Sequence, residues 1–135
     1  MRKLLSLAMF LSSSALYSQV NIIPQPVEVK MPKLAGQFTI TRNTAIVLDG
    51  SGLENSANFL NEYLQQVYGF SLKITTKNAP GAIHLNYEKM ENPIPGAYVM
   101  QVKKDQVYIA GDNEAGTFYG VQTLLQLLPV EKRLP

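Results

Sequence analysis

Apolar residues recur along this chain with two different periods, and the switches between them mark out its elements. Around residues 54–68, Leu53, Ala57, Leu60, Leu64 and Val67 fall three or four apart, while Glu54, Asn58, Asn61, Glu62 and Gln65 take the other side. That spacing predicts an amphipathic helix. Gly69 stands where a helix-ending glycine belongs. Alternation over residues 37–41, with Phe38 and Ile40 on one side, predicts a strand, and residues 71–75 read the same way. So do residues 82–87, where Ile83 and Leu85 share one face and His84 and Asn86 the other. Residues 44–49 form a more continuous apolar run, which predicts a strand buried on both faces. Residues 98–102 and 106–110 flank Lys103, Lys104 and Asp105 as the arms of a hairpin, without the glycine that the tightest turns favour.

The last patterned segment departs from both periods. Over residues 115–128, Ala115, Phe118, Gln122, Leu125 and Leu128 run down one stripe, and Tyr119, Val121, Leu124 and Leu127 spread over much of the rest. A surface helix ordinarily shows one apolar face a little over 100° wide; this one is apolar nearly all round. Asp112 or Asn113 can cap its start, Glu114 suits its positive end, and Pro129 closes it. Gly116 and Gly120, four apart, form a flat notch at a cost of about 1 kcal/mol each relative to alanine. Close packing is the natural offset. The expectation is a second interface, with Gly116, Phe118, Tyr119, Gly120, Thr123, Leu124 and Leu127 packing against another domain.

The order β-β-α-β-β-β-β-α predicts an α+β fold: a two-layer domain with a mixed, mostly antiparallel sheet and two helices on one face. Residues 19–129 make up this domain. Residues 1–18 read as a signal peptide: Arg2 and Lys3 precede an apolar core over 4–11 and the small residues Ser12, Ser13, Ser14 and Ala15. Cleavage fits after Ala15 or after Ser18. The apolar core is too short to span a bilayer, which takes about 20 residues. Nothing after the signal is a candidate span, so an exported protein is expected. Residues 130–135 read as the start of a linker.

Charge adds an exclusion. Of the 12 basic residues, Arg2 and Lys3 belong to the signal, and the rest balance the 10 acidic ones. A neutral mature domain gives no electrostatic reason to bind nucleic acid. The absence of cysteine leaves the core alone to hold the domain and removes thiolate zinc sites. His84 is the only histidine, so a histidine-based triad or metal site has no partners. It reads as a strand residue facing solvent or a polar contact. Gly50, Ser51 and Gly52 lack the lysine of a phosphate loop, and there is no Gly-x-Ser-x-Gly elbow. The acidic residues form no cluster in the sequence. No residue pattern calls for a catalytic group, a cofactor or a metal.

The run from Gly116 to Leu128 (Gly-Thr-Phe-Tyr-Gly-Val-Gln-Thr-Leu-Leu-Gln-Leu-Leu) resembles the helix closing the N-terminal domain of the β-N-acetylhexosaminidases of glycoside hydrolase family 20. Ile22-Ile23-Pro24-Gln25-Pro26 resembles the opening of that domain, Gly36-Gln37-Phe38-Thr39-Ile40 its first strand, and the segments at 97–102 and 107–111 its hairpin. One departure is Gly96, where the family often carries an acidic residue. The resemblance covers residues 21–135. It implies a domain packed against a catalytic (β/α)₈ barrel in cis. Family members cleave terminal β-linked N-acetylhexosamine with retention, using the substrate's acetamido group as nucleophile rather than a second carboxylate. The adjacent Asp-Glu pair that serves this chemistry lies in the barrel, and no position here matches it. The expectation is therefore a non-catalytic N-terminal domain whose barrel is absent from this chain. The competing readings are the same accessory domain before another glycosidase barrel, and a free-standing exported interaction or carbohydrate-binding module.

Overall fold

A computed structural model describes residues 21–30, 36–87 and 94–130. The expected signal segment 1–18 and residues 131–135 of the expected linker lie outside these described residues.

The chain builds a five-stranded sheet backed by two helices. In chain order these are β1 (Ala45–Asp49), α1 (Glu54–Tyr68), β2 (Lys73–Thr75), β3 (Ile83–Tyr87), β4 (Tyr98–Val102), β5 (Val107–Gly111) and α2 (Glu114–Leu127). Strand order across the sheet is β2-β1-β3-β5-β4. Pairings of β1 with β2 and β3, and of β3 with β5, are parallel; only the β4–β5 hairpin is antiparallel. The sheet is mixed, as expected, but its balance is parallel rather than antiparallel. The reason is connectivity: α1 carries the chain back to the starting edge between β1 and β2, as parallel neighbours require.

Side chains alternate across the sheet, and register lines up one set on the helix side. Ile46 pairs with Ile83, Leu48 with Leu85, Ile83 with Val107 and Leu85 with Ile109. These residues join Leu53, Ala57, Leu60 and Leu64 of α1 and Val121, Leu124 and Leu125 of α2 in one core cluster. Both helices therefore lie on one face. Their rings also meet, Phe59 and Phe118 having centroids 4.8 Å apart. Ile46 and Val47 of β1 are fully buried, so this strand is covered on both faces as its unbroken apolar run predicts.

Residues 37–41 are not a strand: they join no ladder. Phe38 and Ile40 pack, half-buried, against the main core. Their alternation records one-sided burial of an extended segment, a pattern shared with a strand that is paired. Immediately afterwards the chain turns, Thr44 N–H donating to the Thr41 carbonyl at 3.0 Å.

The helix-free face is polar towards the carboxyl ends of its strands. His84 Nδ1 lies 3.1 Å from Asp49 Oδ2, and the Asn86 side-chain amide donates to the Tyr108 hydroxyl at 3.1 Å. His84 is thus the polar contact that its lack of sequence partners suggested.

Candidate functional site

Helix α2 is fastened at its start. The Asn113 side chain accepts from the Gly116 N–H at 2.8 Å, so Asn113 rather than Asp112 is the cap. Asp112 instead accepts from the Gly96 N–H at 3.1 Å. Buried Thr117 joins three elements: its Oγ1 accepts from the Gly111 N–H at 3.2 Å and donates to the Asn86 carbonyl at 2.9 Å. Near the helix end, the Gln126 amide clasps the backbone of Ile23, accepting its N–H and donating to its carbonyl, each at 2.8 Å. The N-terminal segment is thereby laid along α2. Tyr68 of α1 donates to the carbonyl of Pro129, tying the two helix C-terminal ends together.

The glycine notch points inward. A Cβ on Gly116 would lie 2.2 Å from the Ala97 carbonyl oxygen, and one on Gly120 would lie 2.4 Å from Ile109 Cγ2 and 3.1 Å from Tyr98. The close approach expected of a second domain is made by the chain's own sheet. Thr123 and Leu124 are likewise buried within the domain, Thr123 in a hydrogen bond with the Tyr98 hydroxyl. These four residues are spent on internal packing, because α2 lies so flat on β4 and β5 that glycine is required at the contact. Phe118, Tyr119 and Leu127 lie elsewhere on the helix. Phe118 is half-buried, Tyr119 is 47% exposed and Leu127 is 39% exposed.

Two depressions border this outer face. One, of about 270 Å³, lies beneath the N-terminal segment, between Ile23, Pro24, Gly96, Tyr98, Tyr119 and Gln126. The Tyr119 ring fills the space beside Gly96: a Cβ there would stand 2.9 Å from it, and φ of Gly96 is +84°. Both facts disfavour the acidic residue often found at this point in the family. The other is an open cleft of about 530 Å³ lined by Asn55, Ser56, Asn113, Glu114, Phe118 and Tyr119. It exists because β1 and β5 run parallel and each feeds a helix on the same face. The starts of α1 and α2 therefore meet at the carboxyl end of the sheet, either side of β3.

Across that cleft Asn55 donates to Glu114 Oε1 at 3.3 Å. Nearby, the Tyr87 hydroxyl is held above the ordinary tyrosine range, first by burial and then by the negative charges of Glu114 and Glu54. Sequence reasoning missed this grouping because Asn55 and Glu114 are 59 residues apart. Only the strand order brings them together. The Gln126 clasp had a faint signal: a lone amide in an otherwise apolar last turn and a half.

Among the described residues no group of three or more His, Cys, Asp or Glu side chains could hold a metal. No described helix is long and apolar enough to cross a membrane.

The description "Glycosyl hydrolase family 20, domain 2" matches residues 19–135. A beta-hexosaminidase of Porphyromonas gingivalis is 32% identical over 114 residues, which cover 83% of this chain and 14% of that protein. Among solved structures, the GH20 β-N-acetylhexosaminidase of Streptomyces coelicolor A3(2) superimposes with a TM-score of 0.60 at 33% identity, over 70% of this chain and 19% of that one. The GH20 exo-β-N-acetylglucosaminidase of Vibrio harveyi gives a TM-score of 0.67 at 20% identity, over 83% of this chain and 16% of that one, a likeness of fold alone. The chain thus spans well under a quarter of the length of these relatives. With the match extending over residues 19–135, the chain belongs to glycosyl hydrolase family 20, in which it corresponds to domain 2.

Proposed function

We propose that this chain is the non-catalytic N-terminal domain of an exported β-N-acetylhexosaminidase. In the longer protein it supports a catalytic barrel that removes terminal β-linked N-acetylhexosamine. The observation that carries the reading is the family match over almost the whole chain, set against the small share of each relative that the chain spans. The hydrolytic chemistry belongs to the barrel.

The side offered to the barrel is the outer face of α2: Phe118, Tyr119 and Leu127, flanked by Ala115 and Gln122. Tyr119 and Leu127 keep much of their apolar surface in solvent. An apolar ring and a leucine exposed on a helix whose other side is locked into the core suit an interdomain contact. Export rests on Arg2, Lys3 and the apolar core after them.

Activity tests the division of labour. The longer protein is expected to release the chromophore from an aryl β-N-acetylglucosaminide, and residues 19–135 alone to do so no faster than a blank. Turnover by the isolated chain would contradict the reading, as would a downstream sequence without an Asp-Glu pair. Export is checked by N-terminal sequencing of the mature protein, which should begin after Ala15 or after Ser18.

A further inference from the structure

Among the described residues, two side-chain amides each grip one residue's backbone at both its N–H and its carbonyl, and they do so to different ends. Asn61 of α1 accepts from the Leu72 N–H at 2.7 Å and donates to its carbonyl at 2.9 Å. Leu72 is buried, so that clasp seats a core side chain. Gln126 of α2 holds Ile23 in the same way, but the Ile23 side chain is 81% exposed. Its neighbour Ile22 is buried. Fixing the backbone at this point therefore fixes which of the two isoleucines faces water.

A single apolar residue on a surface needs no explanation, whereas a contiguous group of them marks an interaction site. Ile23 is not single. With Pro24 it walls the recess of about 270 Å³ whose other side is formed by Tyr119 and Gln122, and Tyr119 is itself exposed. The N-terminal segment and the outer face of α2 are thus one surface. No charged side chain lines the recess, so the surface that matches it is apolar. A segment this close to a chain terminus is ordinarily loose, and ordering it on docking would weaken the contact. The two bonds from Gln126 order it beforehand.

We propose that residues 22–24 form part of the surface on which the catalytic barrel sits, that the barrel covers Ile23 together with Tyr119, and that Gln126 positions the segment for this contact. The proposal rests on the reading that the barrel meets the outer face of α2. The occupant is argued from the family: the chain corresponds to domain 2 of proteins of which it spans less than a quarter. A barrel tethered in the same chain is present at a high effective concentration, which favours it over any untethered partner for this surface.

The test uses the full-length protein carrying Ile23→Cys or, for reference, Val99→Cys. Val99 is 38% exposed and lies on the helix-free face, alternating with Tyr98 and Met100 on the helix side. Maleimide labelling of each introduced thiol is followed by peptide mapping, and hydroxyl radicals report Tyr119 against Tyr108 in parallel. Exposure in the domain itself would make Ile23→Cys the faster to label. The expected result is that it labels several-fold more slowly than Val99→Cys, with Tyr119 protected, and that adding Gln126→Ala speeds it several-fold. Protected Tyr119 with Ile23→Cys the faster of the two overturns the proposal and leaves barrel docking on α2 standing. Reactive Tyr119 overturns both. An unchanged rate on adding Gln126→Ala overturns the positioning role of Gln126. Oxidation of Ile23 itself by the same radicals in the unsubstituted protein decides the matter even if Ile23→Cys does not fold.

Discussion

At Gly116 the space that a side chain would need is occupied by backbone, the Ala97 carbonyl; at Gly120 it is occupied by Cγ2 of fully buried Ile109 and by the base of the Tyr98 ring. Alanine favours an isolated helix over glycine by about 1 kcal/mol, so propensity alone would have both substitutions stabilise the chain. Packing reverses the sign. Gly120→Ala pushes on side chains rather than backbone and is expected to cost about 1–3 kcal/mol. Gly116→Ala pushes on a peptide group and is expected to cost more. Urea midpoints should fall from the native chain to Gly120→Ala to Gly116→Ala; a midpoint raised by Gly116→Ala would contradict the packing of α2 on the sheet. Tyr87 gives a second prediction at this scale. Its folded-state ionisation lies above the ordinary tyrosine range because of burial and the charges of Glu114 and Glu54. The unfolded chain releases this proton first, near pH 10. The contribution to stability is therefore present below about pH 10 and lost as pH rises through the folded-state value. Thermal midpoints measured from about pH 9 to 12 should fall less steeply in Tyr87→Phe than in the native chain; equal slopes would contradict the assignment.

At the scale of elements, α2 is positioned by few groups, and Thr117 is the most consequential. Its hydroxyl serves the Gly111 N–H and the Asn86 carbonyl, tying α2 to β5 and β3 at once. Thr117→Val keeps the shape and removes both bonds, leaving buried backbone groups unpaired at about 1–3 kcal/mol. The unfolding free energy should drop by that amount, with no loss of helix content by circular dichroism before the transition. Gln126→Ala is a local counterpart. It should release the N-terminal segment and speed hydrogen exchange at the Ile23 amide while changing the unfolding midpoint little. These elements were unequally legible in the sequence. Helix α1 was plain because Leu53, Ala57, Leu60 and Leu64 bury one stripe and leave the rest in water. The tract with Phe38 and Ile40 misled because burial on one side produces alternation with or without strand pairing. The helix between β1 and β2 is a mark of their parallel pairing; that β3 and β5 also run parallel to β1 was hidden, because the loops between short strands carry no local mark of direction. On α2 the apolar circumference and the two glycines pointed to a second domain, whereas the close approach at the glycines is to the chain's own sheet. These features could not tell which side of the helix the sheet would take, since apolar residues run nearly all round it. The cleft at Ser56 and Glu114 depends wholly on strand order.

For the whole molecule, the two faces of the sheet have different fates. One is closed by α1 and α2 over a continuous core. The other carries the His84–Asp49 and Asn86–Tyr108 pairs, and its polar end suits water. Under the proposed function, the barrel sits on the outer surface of the helices, away from the sheet. Hydroxyl-radical footprinting of the full-length protein tests that claim most directly. Tyr119, 47% exposed in the domain itself, is compared with Tyr108, half-buried on the helix-free face. The account predicts that Tyr119 reacts more slowly than Tyr108 once the barrel is present, reversing the order that their exposures in the domain set. Tyr119 remaining the more reactive of the two, with Tyr108 suppressed, would place the barrel on the opposite face and contradict it.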